Sequence, residues 1–160
     1  MTDTLRSIVA RSIDWKDAHA TFDDAVADFP PELRGVRPAG VPWSAWQLVD
    51  HMRVALHDIL EFALPGEYHA MKWPDDYWAP DPNPPSASAW DDCIATIRRQ
   101  TAELKRLVED ESLDPAATVP HATAPHQTYA RSLLLVTDHN AYHVGQLVLL
   151  RRLLGAWPAS

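Results

Sequence analysis

The sequence has few of the features that stabilise a chain covalently or anchor it in a membrane. Cys93 is the only cysteine among 160 residues, so no intramolecular disulfide can form. No stretch approaches the ~20 apolar residues that a membrane-spanning helix needs. The N-terminal residues also lack the apolar core of a signal peptide. From these absences we expect a soluble, cytoplasmic protein with no membrane partner.

Clusters of basic residues are missing as well. The chain has 14 basic and 22 acidic residues, which gives a formal net charge of -8. A protein that binds duplex DNA needs a basic face to displace counterions from the phosphates. The two arginine doublets, at positions 98–99 and 151–152, fall within helical patterns, and we interpret both as solvent-exposed faces. The sequence therefore predicts no nucleic-acid partner.

The chain does contain enough apolar sequence for one packed domain. Hydrophobic residues make up 46% of the 160 positions, which is typical of a single globular domain, here predicted to span residues 1–160. Four segments repeat their apolar residues with the period of an α-helix, and none shows a convincing strand alternation. These patterns predict an all-α protein.

The first predicted helix covers about residues 3–29. Pro30 ends it, because proline cannot donate the next helical hydrogen bond. Apolar residues recur along this segment every seven positions, at Ile8, Trp15, Phe22 and Phe29. We expect this stripe to face the core of the protein.

Three further helices are predicted over about residues 44–63, 88–110 and 128–154. Ser44 is expected to cap the first of them, because its hydroxyl can bond a free amide of the first turn. The Pro- and Trp-rich segment 65–86 is long enough to cross back along a whole helix. The sequence thus predicts a four-helix bundle with up-down-down-up topology. The aromatic part of the segment could form a lid, a dimer surface or a simple cover for the bundle.

Two histidines in the last predicted helix, His139 and His143, are candidate metal ligands. Residues four apart lie on the same helix face, so both imidazoles can point at one ion. Taken alone, the pair also fits two half-buried histidines that bond their neighbours. Asn140 follows the first histidine where the zincin motif has its catalytic Glu, so a zincin protease is not expected.

A third histidine, His51, lies in the second predicted helix, and here the sequence resembles the DinB/YfiT-like family of metal-dependent proteins. The resemblance covers essentially the whole chain. It implies an up-down-down-up bundle, often dimeric, with a metal site formed by His51, His139 and His143. The matching features are Pro42-Trp43-Ser44, Leu48, His51 and the spacing of His139, His143 and Gln146.

Three neutral imidazoles would leave a divalent ion with an open coordination position, as in catalytic rather than closed structural sites. Imidazole suits zinc, nickel, copper and iron, and we expect zinc or nickel. Some members of the family are thiol S-transferases, so the resemblance favours an enzyme that joins a low-molecular-weight thiol to a small electrophile. A metal-dependent hydrolase and a non-catalytic binding protein remain alternatives. The sequence identifies no catalytic residue beyond the ligands.

The other polar residues near these motifs have less certain roles. His19 lies on the apolar stripe of the first helix and could line the same cavity, although a core-edge position is the simpler interpretation. His121 and His126 precede the last helix and are expected on the surface, where either could act as an acid or base. Asp50 and Asp138 each precede a candidate ligand and are expected to be surface charges, although either could orient an imidazole. The two remaining histidines are expected to be exposed: His57 and His69.

Overall fold

The computed structural model describes residues 3–158 of the chain, and side chains from residue 5 onward. Within this part of the chain, the only β-type pairing is an isolated bridge between Thr118 and Thr128. The prediction of an all-α protein is therefore confirmed. The helices are α1 (Asp3–Ser12), α2 (Phe22–Val26), α3 (Ala45–Ala63), α4 (Ala89–Glu109) and α5 (Tyr129–Leu153).

The prediction of one continuous helix over residues 3–29 is wrong. Thr21 caps a new helix: its hydroxyl accepts a bond from the amide of Asp24, whose carboxylate accepts from the amide of Thr21. This local bonding starts α2 independently of α1. The direction of the apolar face also differs from the prediction, because Ile8 is exposed while Ala10 and Ile13 are buried.

The three long helices lie within one residue of their predicted bounds at each end. Ser44 caps α3 as predicted, and its hydroxyl accepts a bond of 3.2 Å from the amide of Gln47. The side chain of Gln47 bonds back to the amide of Ser44 at 3.1 Å, which completes a capping box. Thr128 caps α5 in a similar way, through the amide of Arg131. Side-chain bonding at these helix starts explains why the sequence located them well.

Helix α3 lies at the centre of the fold. It packs against both α4 and α5, while α1 packs on α4 and α2 packs on α5. Leu48, Val49 and Met52 in its first half are almost completely buried. Any polar residue among them therefore needs partners, because an unpaired polar group in such surroundings is costly. Within residues 3–158, no helix combines the length and apolar character needed to cross a membrane.

Two arginines are buried and bond main-chain carbonyls, and for one of them the sequence prediction was wrong. Arg151, predicted to be exposed, is only 2% exposed. Its guanidinium donates to the carbonyls of Ala25 and Ala156, at 3.1 and 2.8 Å. Arg6 of α1 similarly donates to the carbonyl of Val108 near the end of α4. Free carbonyls at helix ends are good acceptors, which accounts for both positions.

The segment between α3 and α4, residues 64–88, packs along α3. Gln47 donates to the carbonyl of Ala79 at 2.7 Å, and Ser44 donates to that of Pro82 at 2.5 Å. Gly35 allows this segment to approach, since a Cβ there would lie 2.0 Å from the side chain of Asn83. The Pro- and Trp-rich segment is therefore fixed against the helix that carries His51.

Candidate metal centre

Three histidines from two helices converge at one place. His51 comes from α3, and His139 and His143 come from successive turns of α5. One ring nitrogen from each of the three lies within 4.8 Å of the others. The closest approach is between Nε2 of His51 and Nε2 of His139, at 3.1 Å. The structure thus brings together the three residues that the sequence singled out.

Two of the imidazoles are oriented by acceptors on their outer side. Nδ1 of His51 lies 3.0 Å from the carbonyl oxygen of Tyr77, and Nδ1 of His143 lies 2.7 Å from Oε1 of Gln146. Because an oxygen of this kind can only accept, each Nδ1 carries the proton and donates it. The lone pair is then on Nε2 of each ring. Metal-binding histidines are commonly held by bonds of this kind.

The donor set fits a divalent cation. Two nitrogen lone pairs facing each other at 3.1 Å would repel, so a proton or a cation must lie between His51 and His139. In a tetrahedral zinc site with zinc–nitrogen distances of about 2.0–2.1 Å, ligand nitrogens are about 3.3 Å apart. The His51–His139 separation is close to this value. The three-histidine cluster, as we call these residues, could therefore hold a divalent metal ion.

Burial keeps these imidazoles uncharged. It lowers the pKa of His51, His139 and His143, since the charged ring loses hydration on leaving water. The pKa of His143 falls to about 4, and the neighbouring histidines lower it further by repulsion. Neutral rings are the form that binds metals, so the cluster does not need to lose protons at neutral pH.

The cluster opens onto a cavity of about 700 Å³, here called the histidine cavity. Trp78 forms one wall and stacks on the ring of His51, with centroids 3.9 Å apart and planes 2° from parallel. Trp43 stacks on Trp78 in turn, at 4.5 Å. The aromatic residues that line the cavity are Trp43, Trp73, Tyr77, Trp78 and Tyr142. The wall on the His51 side is thus fixed by stacking.

Asp58 attaches this aromatic segment to α3. Its two carboxylate oxygens accept bonds from the hydroxyls of Tyr68 and Tyr77, at 2.9 and 2.8 Å. Burial raises the pKa of Tyr68 to about 12 and raises that of Tyr77 as well, and the bond to Asp58 adds to both shifts. Both phenols therefore remain donors throughout the neutral range. Since the carbonyl of Tyr77 orients His51, Asp58 supports that ligand indirectly.

The other candidates from the sequence lie elsewhere. His19 is exposed between α1 and α2 and lines a separate cavity of about 330 Å³, not the histidine cavity. His126 is exposed, and the half-buried ring of His121 lies 5.3 Å from that of Tyr68. Asp50 pairs with Arg53 at 2.7 Å. His57 and His69 are exposed, as predicted.

The groups that orient His51 and His143 are the carbonyl of Tyr77 and the side-chain amide of Gln146. Asp138 is exposed at the edge of the histidine cavity, as expected for a surface charge. Asp50 pairs with Arg53 and not with an imidazole. Helical spacing could have pointed to Gln146, three residues after His143. The main-chain carbonyl of Tyr77, 26 residues from His51, could not be found from helical spacing in the sequence.

Fold and site together define an all-helical protein whose three imidazoles could hold a divalent metal ion. The chain belongs to the DinB superfamily, whose sequence model matches residues 14–147. This confirms the family resemblance found in the sequence, and the match contains all three histidines of the cluster. Neither the curated proteins nor the solved structures include a significant match to the chain.

Proposed function

We propose that His51, His139 and His143 bind one divalent ion, zinc or nickel, and that the protein is a thiol S-transferase acting on small electrophiles. The observation that carries this proposal is the position of the three-histidine cluster in the wall of an open cavity. A structural metal site is closed by four protein ligands, whereas a site with three leaves a position for substrate.

A bound ion would supply positive charge and an open coordination position, which favours the thiolate form of a thiol placed there. The chain itself holds two of the three ligands in place: Tyr77 and Gln146 fix the imidazoles of His51 and His143. Trp78 shields His51 from water. In the reaction the thiol releases its proton to solvent water, its sulfur bonds the electrophilic carbon, and the leaving group departs with the electrons of the broken bond.

The main alternative is hydrolysis, with water as the nucleophile. A hydrolase would benefit from a free carboxylate or histidine as general base next to the nucleophile. Both oxygens of Asp58 already accept phenol protons, and Asp138 lies exposed at the cavity edge. This arrangement favours the thiol transferase over the hydrolase. A non-catalytic metal- or ligand-binding protein is the second alternative, and the open cavity is an observation only against a closed structural metal site.

We further propose that residues 1–160 form one domain with up-down-down-up topology, in which residues 64–88 are the crossover between parallel helices α3 and α4. Cys93 near the start of α4 lies 3.6 Å from the carbonyl of Val49 near the start of α3, which supports a parallel pair. Arg6 at the start of α1 bonds Val108 near the end of α4, which supports an antiparallel pair.

We also propose a cytoplasmic homodimer with small-molecule substrates and no nucleic-acid or membrane partner. Two leucine side chains in the second half of α5, Leu149 and Leu153, are more than half exposed and would be covered by a second copy. The net charge of -8 supports the absence of a nucleic-acid partner.

The test combines metal content with turnover. Elemental analysis of the purified protein should give about one zinc or nickel per chain, and substitution of His139 or His143 by Ala should remove most of it, because two imidazoles do not complete a strong site. The His57→Ala variant is the matched control, since His57 is exposed and only pairs with Glu61. Stoichiometric metal in His139→Ala would contradict the ligand assignment.

Turnover should require both the metal and a thiol. We expect conjugation of a low-molecular-weight thiol to a chlorinated aromatic electrophile, rising with pH as more of the thiol ionises. His51→Ala should abolish it while helicity by circular dichroism persists. If metal-loaded protein conjugates none of a panel of thiols but hydrolyses a simple ester, amide or lactone, the hydrolase is correct. If it does neither, the protein is a binding protein.

A further inference from the structure

Among the described residues, the side chains that line the histidine cavity include two carboxylates and no lysine or arginine. Asp58 and Asp138 are the charged members of the lining. All its other members are aromatic, aliphatic or uncharged polar residues. Anion-binding sites in proteins normally provide arginine, lysine or several free amides. The described residues that form this cavity include neither arginine nor lysine.

The basic residues closest along the chain do not compensate for this. Lys72 precedes Trp73 but forms an ion pair with Asp75, at 2.7 Å. Arg53 lies two residues after His51 but pairs with Asp50, also at 2.7 Å. Arg131 lies about two turns before Asp138 on α5, and neither it nor Arg53 is part of the cavity lining. The acidic side chains of the lining therefore have no lysine or arginine beside them in it.

Aromatic surfaces at the mouth add to this preference. Trp73 is 66% exposed and Tyr142 is 64% exposed, although both belong to the cavity lining. Their ring faces are electron-rich and attract cations. They also offer apolar surface to an uncharged molecule. The ring faces would not attract a negatively charged head group, and Asp138 would repel it.

We propose that the substrates of this cavity carry uncharged or cationic head groups, and that the cavity discriminates against anionic thiols. This inference rests on the proposed function, since it concerns the thiol that would bind at the metal. The thiolate sulfur would balance one of the two positive charges of the ion. The rest of the molecule then extends towards Asp138, Trp73 and Tyr142, where the carboxylate decides which head group is accepted.

The test uses three thiols that share one ethyl stem: cysteamine, 2-mercaptoethanol and 3-mercaptopropionate, with cationic, neutral and anionic head groups. Their affinities for the cobalt(II)-loaded protein can be measured from the thiolate-to-cobalt absorption band. In Asp138→Asn we expect cysteamine to bind about threefold more weakly and 3-mercaptopropionate about threefold more tightly. A change of this size is expected when one exposed charge a few ångströms from the head group is removed. The affinity for 2-mercaptoethanol should not change.

The affinity of each thiol for the variant is compared with the affinity of the same thiol for the wild type. The different acidities of the three thiols therefore cancel. Asp91→Asn is the matched control, since Asp91 is exposed on α4, which does not line the cavity. Asp138→Lys should enlarge both shifts. Equal changes for all three thiols, or no change, would overturn the charge preference and leave the proposed function intact. Absence of the absorption band with every thiol would overturn the thiol transferase and this inference together.

Discussion

Cys93 shows how burial determines the chemistry of a single residue. It is 3% exposed in the core between α3 and α4. Burial raises the pKa of its thiol to about 12, because the thiolate would lose its hydration. The protein therefore has no thiolate of its own at neutral pH that could compete with a thiol substrate.

We predict that Cys93 resists alkylation in the native protein. Its thiol should react with iodoacetamide far more slowly than a free thiol at pH 8, and the rate should stay low until the pH approaches the raised pKa of about 12 or the protein unfolds. Mass spectrometry of the alkylated protein measures this, with the same protein in urea as the control. Rapid modification without loss of helicity would show that the thiol is accessible.

At the scale of helices and loops, the sequence predicted most where the determinants are local. The starts of α3 and α5 follow from the hydroxyls of Ser44 and Thr128, and their ends from Pro65 and Gly155. The same kind of local signal, the Thr21–Asp24 capping box, was present in the first segment. The seven-residue apolar repeat continues across this capping box, and that is why the sequence predicts one helix instead of two.

The site was predictable only in part, for a related reason. Helical spacing places His139 and His143 on one face, and the family motif adds His51. The orientation of His51 depends on Tyr77 and Trp78, which reach it from a segment without regular structure. Such contacts depend on the path of an irregular loop, for which the sequence has no periodic signal. The link from Asp58 through Tyr77 to His51 could therefore not be predicted.

This link gives a prediction about the loop. Tyr77→Phe removes the hydroxyl through which this residue bonds Asp58, and this should loosen the main-chain carbonyl that orients His51. Metal affinity should then fall about tenfold, which is the lower end of the range for loss of such a supporting bond. Tyr68→Phe is the control, because Tyr68 bonds the other oxygen of the same carboxylate and does not contact His51. Competition with a chromophoric chelator measures both affinities. Equal losses in the two variants would mean that Asp58 acts through general stability only.

At the scale of the whole molecule, the exposed face of α5 has the properties of an interface. At 100° per residue, Gly145, Leu149 and Leu153 fall within an arc of about 80°. Apart from the backbone of its own helix and its chain neighbours, nothing lies within 4 Å of a Cβ added at Gly145. A second helix could therefore approach the backbone closely at this point. Tyr142, about one turn earlier on α5, lines the histidine cavity, and this face begins beyond it along the helix.

We therefore predict that the protein is a homodimer at micromolar concentration, with a mass by light scattering of about twice 17.9 kDa. Leu149→Glu should shift it to monomer, because a buried, unpaired carboxylate in the interface is costly. Val36→Glu, at an exposed apolar residue outside the helices, is the matched control and should remain dimeric. Metal content should be unchanged in both variants, since all three ligands come from one chain. A wild-type monomer would contradict the proposal, and a dimer that survives Leu149→Glu would place the interface on another face.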